Sequence, residues 1–168
     1  DAAIVRGLDT LRTMREQGIE HMLVILGASG SGKSSFLRAG LWPRLARDDL
    51  HFLPLPVIRP ERAVLSGTNG LVASLETAFG DQGNSKTRDC IRTELQAPNG
   101  LIHLLRELQM LARSRLGDAT PTPTIVLAID QGEELAGVEG REEAETFLAM
   151  LAQTLQASGS AHEAPERE

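Results

Sequence analysis

The sequence predicts an α/β domain with helices on both faces of a short parallel sheet, and three observations predict it. Residues 21–26 form a short apolar run, which is typical of a buried strand. A glycine-rich loop follows this run, and the residues after the loop have helical spacing, with Leu37 and Leu41 four positions apart. Residues 124–129 form a second apolar run, rich in β-branched residues, as in parallel strands that are buried on both faces.

The loop after the first predicted strand carries a specific motif. Residues 27–34 read Gly-Ala-Ser-Gly-Ser-Gly-Lys-Ser and fit the pattern G-x-x-x-x-G-K-S/T at every fixed position. The glycines allow a close approach to a ligand, and the inward-pointing N–H groups form an anion-binding concavity. The following helix adds its unpaired N–H groups and the positive end of its dipole. The flanking strand and helix favour nucleoside triphosphate binding over a flexible glycine-serine turn.

Two side chains of the motif have predicted roles of their own. Lys33 is placed to reach the β- and γ-phosphates, and the hydroxyl of Ser34 is placed to bind Mg²⁺. The residues predicted to bind the nucleotide are Gly27, Ala28, Ser29, Gly30, Ser31, Gly32, Lys33, Ser34 and Ser35.

A phosphate-binding loop of this kind needs an acidic residue for Mg²⁺, usually at the end of a buried strand. Asp130 directly follows residues 124–129 and is predicted to bind the ion opposite the motif's serine. Glu133 or Glu134 is predicted to orient or deprotonate the attacking water, and a solvated acidic turn is the alternative. Gln131 stands where many such ATPases have a glutamate. Because an amide cannot accept the proton, slow hydrolysis is expected.

Composition and charge argue against several functional classes. The chain has 168 residues, which suits one domain, a net charge of −6 and 3% aromatic residues. These values argue against a large nucleic-acid surface, which would be basic, and against an aromatic platform for single strands. No apolar run approaches the length of a membrane span, and the start lacks the pattern of a signal peptide. The single cysteine, Cys90, cannot form an internal disulfide, so a cytoplasmic location is predicted.

Apolar periodicity predicts the helices. An N-terminal helix is expected to stop at Gly18, and the helix after the loop is expected from Lys33 to about Trp42, with a break or kink at Pro43. Further helices are predicted at about 68–79, 86–95, 101–111, where Asn99 can act as the cap, and 141–156. Solvent-facing positions are predicted for Arg38, Arg44 and Arg47, with an interaction surface as the alternative, and His103 is predicted to be a surface or packing residue and not a metal ligand.

Residues 52–58 are predicted to form a further strand, which two prolines restrict to an edge position or a short segment. Arg59 follows at its carboxyl end, where a surface salt bridge is favoured over a phosphate contact. The domain is predicted to span residues 1–157, and residues 158–168 are predicted to be a disordered tail or linker. The missing initiator Met suggests a fragment of a longer chain.

Together, the two motifs resemble those of the novel STAND NTPases. Residues 27–45 resemble the nucleotide loop and following helix of that family, and residues 125–135 look like its D-Q-x-E-E segment. Gly132 departs from the pattern, because the family usually has an aromatic residue there. The family also continues into further strands after the one that ends at Asp130. A sheet of about three parallel strands, truncated at its C-terminal side, is therefore expected.

The resemblance implies an ATP-driven switch of signalling or immunity-like defence. In this family an effector domain commonly precedes the NTPase, and WD40 or other repeats follow it as a sensor. Nucleotide exchange and oligomerisation would change its state. The residues that carry over are Gly27, Gly30, Gly32, Lys33, Ser34, Asp130, Glu133 and Glu134.

The sequence therefore predicts a three-layer α/β/α P-loop domain that binds Mg-ATP, hydrolyses it slowly and acts as a conformational switch in a larger protein. Lys33, Glu133 and Glu134 are the predicted catalytic residues, and a homo-oligomer is expected on activation. Two alternatives stay open. One is a small-molecule P-loop kinase, which would need an acceptor site and a mobile lid rich in arginine. The other is a non-hydrolysing scaffold whose assembly depends on nucleotide.

Overall fold

The computed structural model describes residues 2–18, 21–117, 121–137 and 139–160, with side chains described as far as residue 157. The described chain is rich in helix and has a short parallel sheet, which is compatible with the predicted α/β class. No described helix is both long enough and apolar enough to cross a lipid bilayer. The elements in chain order are α1 (Ala2–Gln17), α2 (Lys33–Ser35), a π turn (Phe36–Leu41), α3 (Trp42–Arg47), β1 (Phe52–Pro54), α4 (Leu71–Asp81), α5 (Arg88–Gln96), α6 (Gly100–Leu116), β2 (Thr124–Val126), a 3₁₀ helix (Gly132–Ala136) and α7 (Arg141–Ser160).

The sheet of the described residues consists of β1 and β2, which pair in parallel. An isolated bridge between Ile58 and Ile129 continues the pairing toward the carboxyl ends of both segments. Pro54 and Pro56 do not interrupt the pairing, because N–H groups at other positions, such as that of Ile58, donate to the second segment. The side chains of β2 are half-buried, so the expectation that residues 124–129 are buried on both faces is met only in part.

The prediction of a strand at residues 21–26 is wrong, because this run forms no strand in the structure. Its side chains are exposed, and Leu26 has 88% of its surface in solvent. Within the described chain, no backbone hydrogen bond joins the run to the sheet. A strand needs a neighbour to satisfy its N–H and C=O groups, and an apolar pattern does not supply one. The sheet therefore has two described strands instead of about three.

The helix after the glycine loop continues through Pro43, so the predicted break is also wrong. α2, the π turn and α3 follow one another without interruption, and we call them the composite helix. In the π turn, the N–H of Trp42 donates to the C=O of Leu37, five residues earlier. A proline lacks an N–H and collides with the carbonyl four residues before it. A wider turn ahead of the proline relieves that collision.

The hydrophobic core lies between the sheet and helices α4 to α7. Leu55 and Ile58, which follow β1, are fully buried in it, as are Phe79 of α4 and Phe147 of α7. The core therefore fixes the carboxyl end of the first paired segment. The core residues are Leu55, Ile58, Val64, Leu71, Val72, Leu75, Ala78, Phe79, Ile91, Leu95, Leu101, Leu104, Leu108 and Phe147.

Several helix ends differ from the predicted ends by a few residues. α4 begins at Leu71 after a series of turns, and α7 extends to Ser160 instead of about residue 156. Asn99 precedes α6 with a left-handed φ of 58°, but its side chain makes no capping hydrogen bond. Gly18 ends α1 as predicted, since its N–H donates to the carbonyl of Met14. The predicted tail from residue 161 onward lies outside the described residues.

Glu143 of α7 ties this helix to the turn that precedes α4. Its carboxylate accepts hydrogen bonds from the N–H groups of Leu65 and Ser66 at 2.8 and 3.1 Å, and from the hydroxyl of Ser66 at 2.6 Å. Partial burial by itself raises the pKa of Glu143, but these three donors favour the charged form. Together they hold the pKa below its ordinary value of 4.5.

We expect Glu143→Gln to lower the free energy of unfolding by about 1–2 kcal/mol at pH 7, because a neutral amide accepts these bonds more weakly. A carboxylate with a lowered folded-state pKa stabilises the protein above its unfolded-state pKa, and this stabilisation is lost as the pH falls through the folded value. The difference between the two proteins in urea unfolding should therefore narrow below about pH 4. Glu142→Gln, at an exposed neighbouring position, is the control. A difference that stays constant down to about pH 3 would contradict this account.

Candidate functional site

The glycine loop at residues 27–32 leads directly into the N-terminus of the composite helix. Gly30 and Gly32 have φ angles of 77° and 85°, in the left-handed region that other residues rarely adopt. The N–H of Ser31 donates to the carbonyl of Ala28 at 3.1 Å and closes a turn inside the loop. The first turn of a helix has N–H groups without intrahelical acceptors. Loop and helix together therefore offer donors to an anion.

Lys33 lies against the loop that it follows. Its ammonium group donates to the carbonyl of Gly27 at 2.7 Å and to that of Ala28 at 3.1 Å. The positive charge is thus held beside the loop's N–H groups. Ser29 and Ser35, which were also predicted to contact the nucleotide, are exposed on the loop and on the first turn of the helix. The structure therefore brings the predicted loop residues together at one surface.

A hydrogen bond joins the composite helix to Asp130, which directly follows the last bridge of the sheet. The hydroxyl of Ser34 donates to Oδ1 of Asp130 at 2.8 Å, across 96 positions of sequence. Asp130 is placed by the sheet, because its N–H donates to the carbonyl of Ile58 at 2.9 Å, next to the bridge between Ile58 and Ile129. Asp130 is only 5% exposed. The two residues that were predicted to share a metal ion are therefore neighbours.

Two arginines also lie at Asp130. Nε of Arg38 donates to Oδ2 of Asp130 at 2.9 Å, and Nε of Arg59 lies 3.5 Å from the same oxygen. Arg38 comes four positions after Ser34, so the two residues lie on one face of the composite helix. The prediction that Arg38 faces solvent is wrong for its Nε, although 42% of the side chain is exposed. The salt bridge predicted for Arg59 has Asp130 as its partner.

The environment of Asp130 keeps its carboxyl group ionised. Burial by itself raises the pKa of Asp130, but the hydrogen bonds from Ser34 and Arg38 lower it, as do the charges of Arg38 and Arg59. The net effect is a pKa below the ordinary value of 3.8. The site therefore presents a carboxylate, and not a carboxylic acid, at neutral pH.

The two glutamates predicted to act on water differ in their surroundings. Both lie in the 3₁₀ helix that follows Asp130. The carboxylate of Glu134 accepts a hydrogen bond from the N–H of Glu61 at 2.9 Å. Glu133 is exposed, and no hydrogen bond or ion pair of its side chain occurs within the described chain. Gln131 directly precedes this helix and has a left-handed φ of 62°. The turn that follows Asp130 in sequence therefore holds one hydrogen-bonded carboxylate, that of Glu134, and one without such a bond within the described chain, that of Glu133.

The donor set at this site suits a magnesium ion. The hydroxyl of Ser34 and the carboxylate of Asp130 are hard oxygen ligands, which Mg²⁺ prefers. Mg²⁺ is usually held in proteins by one or two carboxylates together with substrate phosphates and water. Among the described residues there is no cluster of three or more His, Cys, Asp and Glu side chains that would hold a metal ion without such a ligand.

Comparison with known protein families gives a match that covers most of the chain. The family model described as Novel STAND NTPase 1 matches residues 5–164 and so includes both the glycine loop and the acidic turn. No curated protein and no solved structure matches the chain significantly. The match agrees with the family that the two sequence motifs resemble.

We expect Asp130→Asn to lower the free energy of unfolding of the nucleotide-free protein by about 1–3 kcal/mol at pH 7. An amide lacks the charge that pairs with Arg38 and Arg59, and it accepts the bond from Ser34 more weakly. Urea unfolding measures the change, and Asp49→Asn, at an exposed position, is the matched control. Equal stability of the two variants would show that the charge of Asp130 does not contribute to folding.

Proposed function

This chain belongs to the novel STAND NTPase 1 family, and on that premise we propose that it binds ATP with Mg²⁺, hydrolyses it slowly and acts as a conformational switch in a larger signalling or defence protein. The observation that carries the proposal is the hydrogen bond of 2.8 Å between Ser34 and Asp130. A hydroxyl and a carboxylate that far apart in sequence meet at the end of a glycine loop, as a Mg-triphosphate site requires.

In this proposal the loop N–H groups bind phosphate oxygens, while Lys33 exchanges its bonds to the Gly27 and Ala28 carbonyls for bonds to the β- and γ-phosphates. Gly27 and Ala28 lie on an exposed loop, so water can replace the lost donor. Ser34 and Asp130 would hold the Mg²⁺ ion. When bound, the ion supplies positive charge that neutralises the phosphate oxygens.

Hydrolysis requires a base for the attacking water. The water oxygen bonds to the γ-phosphorus, its proton passes to a carboxylate, and the bond to the ADP oxygen breaks. Glu133 and Glu134 are the two candidates. Glu133 is the less constrained of the two, because one oxygen of Glu134 is held by the N–H of Glu61. Gln131 orients water but cannot take its proton, and slow turnover follows from this.

A second function, that of a non-hydrolysing scaffold that assembles in the presence of ATP, is favoured by one observation. One oxygen of the Glu134 carboxylate is held by the N–H of Glu61 at 2.9 Å, which restricts the side chain, and Gln131 is not a base. If Glu133 does not reach the water, nucleotide would be bound and kept. In either case the switch would act on other domains of the same cytoplasmic protein, an effector and a repeat sensor, and on a homo-oligomer.

Lys33→Ala should weaken binding of Mg-ADP by about tenfold to a hundredfold, because it removes a charged donor to the β-phosphate. Isothermal titration calorimetry of the purified chain with ADP and magnesium chloride measures the affinity. Arg47→Ala is the control, since it also removes one positive charge but from an exposed position on the composite helix. An unchanged affinity in Lys33→Ala would overturn the proposed nucleotide site.

Glu133→Gln should reduce ADP formation from ATP by about a hundredfold or more while leaving ADP affinity unchanged, because it removes the base and no phosphate contact. Phosphate release measures the rate, and Glu139→Gln, at another exposed glutamate, is the control. If the unmodified chain binds ATP, assembles and forms no ADP, the scaffold function is correct instead. ADP formation that depends on a second small molecule would indicate a kinase.

A further inference from the structure

Arg38 pairs with Oδ2 of Asp130, one of the two carboxylate oxygens to which a metal ion could bind. We propose that Arg38 is a positioning residue that competes with the metal: its guanidinium pairs with the carboxylate of Asp130 and would give way to Mg²⁺ when the ion binds. This inference rests on the proposed function, because the metal would arrive with the nucleotide. It assigns Arg38 a role in setting how much Mg²⁺ the site needs.

Both oxygens of the carboxylate are engaged in the structure. Oδ1 accepts the hydroxyl of Ser34 at 2.8 Å, and Oδ2 accepts Nε of Arg38 at 2.9 Å. With Asp130 only 5% exposed, water reaches these oxygens poorly. A cation that binds Oδ2 directly would therefore lie within a few ångströms of the Arg38 guanidinium. The two positive charges would repel each other across poorly solvated space, so the carboxylate holds one or the other.

Arg38 is the arginine that is free to leave. Its side chain is 42% exposed and projects from the composite helix, so rotation about its own side-chain bonds takes the charge into water. The side chain of Arg59 is exposed to a similar extent, 36%. Its Nε is buried and lies 3.5 Å from Oδ2 of Asp130, farther than the Nε of Arg38. Arg59 would thus remain as a second positive charge beside Asp130 after Arg38 has left.

The position of Arg38 connects this exchange to the rest of the fold. Arg38 lies inside the π turn Phe36–Leu41, and π turns are uncommon and frequent at functional sites. The same turn packs against α1, since Gly40 lies so close to Ile4 that an added Cβ would come within 2.9 Å of its side chain. Loss of the bond between Arg38 and Asp130 removes the one described side-chain bond that ties this turn to the sheet.

The test is a titration of magnesium chloride into the full chain with a fixed concentration of a fluorescent ADP derivative. The half-point is the Mg²⁺ concentration at half of the magnesium-dependent increase in ADP binding. We expect Arg38→Gln to lower the half-point roughly threefold, because a partly exposed ion pair no longer competes for Oδ2. Arg47→Gln, which makes the same change at an exposed position of the same helix, should leave it unchanged.

Arg38→Lys keeps the charge but not the planar Nε–H donor, so its half-point should lie between those of the wild type and Arg38→Gln. Arg38→Lys also serves as the test variant if circular dichroism shows that Arg38→Gln does not fold. A half-point that is unchanged or raised in both variants would overturn the competition between Arg38 and the metal while leaving the nucleotide site intact. Absence of ADP binding by the wild type at every Mg²⁺ concentration would overturn the proposed function, and this inference with it.

Discussion

The hydrogen bond between Ser34 and Asp130 is the interaction on which the candidate site depends, and most of the fold contributes to it. Asp130 is fixed because its N–H bonds to Ile58, a residue that is fully buried in the core. Ser34 is fixed because the composite helix buries Leu37 and Leu41, about one and two turns further along. The position of the site is therefore as well defined as the packing on either side of it.

Charge balance at Asp130 explains how a carboxylate can lie so deep in the protein. An isolated buried charge is costly, and a buried carboxyl group without partners would take up a proton instead. Here two arginines approach from separate elements, the composite helix and the segment after β1, and a hydroxyl donates to the other oxygen. Both arginines keep part of their side chains in water, which limits the desolvation that the cluster has to offset.

The proximity of the glycine loop's helix to Asp130 was more predictable from the sequence than the number of strands in the sheet. The glycine loop and Asp130 depend on local rules, namely a fixed motif and a polar residue at the end of an apolar run, and the structure brings them together. The prediction of a strand at residues 21–26 is wrong because strand pairing depends on a neighbouring strand that the apolar run does not specify. The helix does not break at Pro43, because a π turn can relieve the proline's collision, and apolar spacing does not reveal such a turn.

The role of Arg38 was missed for a different reason. Its charge and helical position are those of many solvent-facing residues, and its ion pair depends on a residue 92 positions away. A signal was nevertheless present, since Arg38 follows Ser34 by four positions and so shares the helix face that was predicted to meet Asp130. Combining helical spacing with the predicted metal pair would have found it.

The attachment of α1 has a mechanical consequence. This helix of 16 residues has no buried side chain. It lies on the composite helix through the contact of Ile4 with Gly40, and Arg12 reaches Asp48, just after α3, at 3.4 Å. At 1.5 Å per residue the two attachment points, Ile4 and Arg12, lie about 12 Å apart on a helix about 24 Å long. Because it is held at both points, α1 would follow a displacement of the composite helix as a rigid rod and would not pivot on its own.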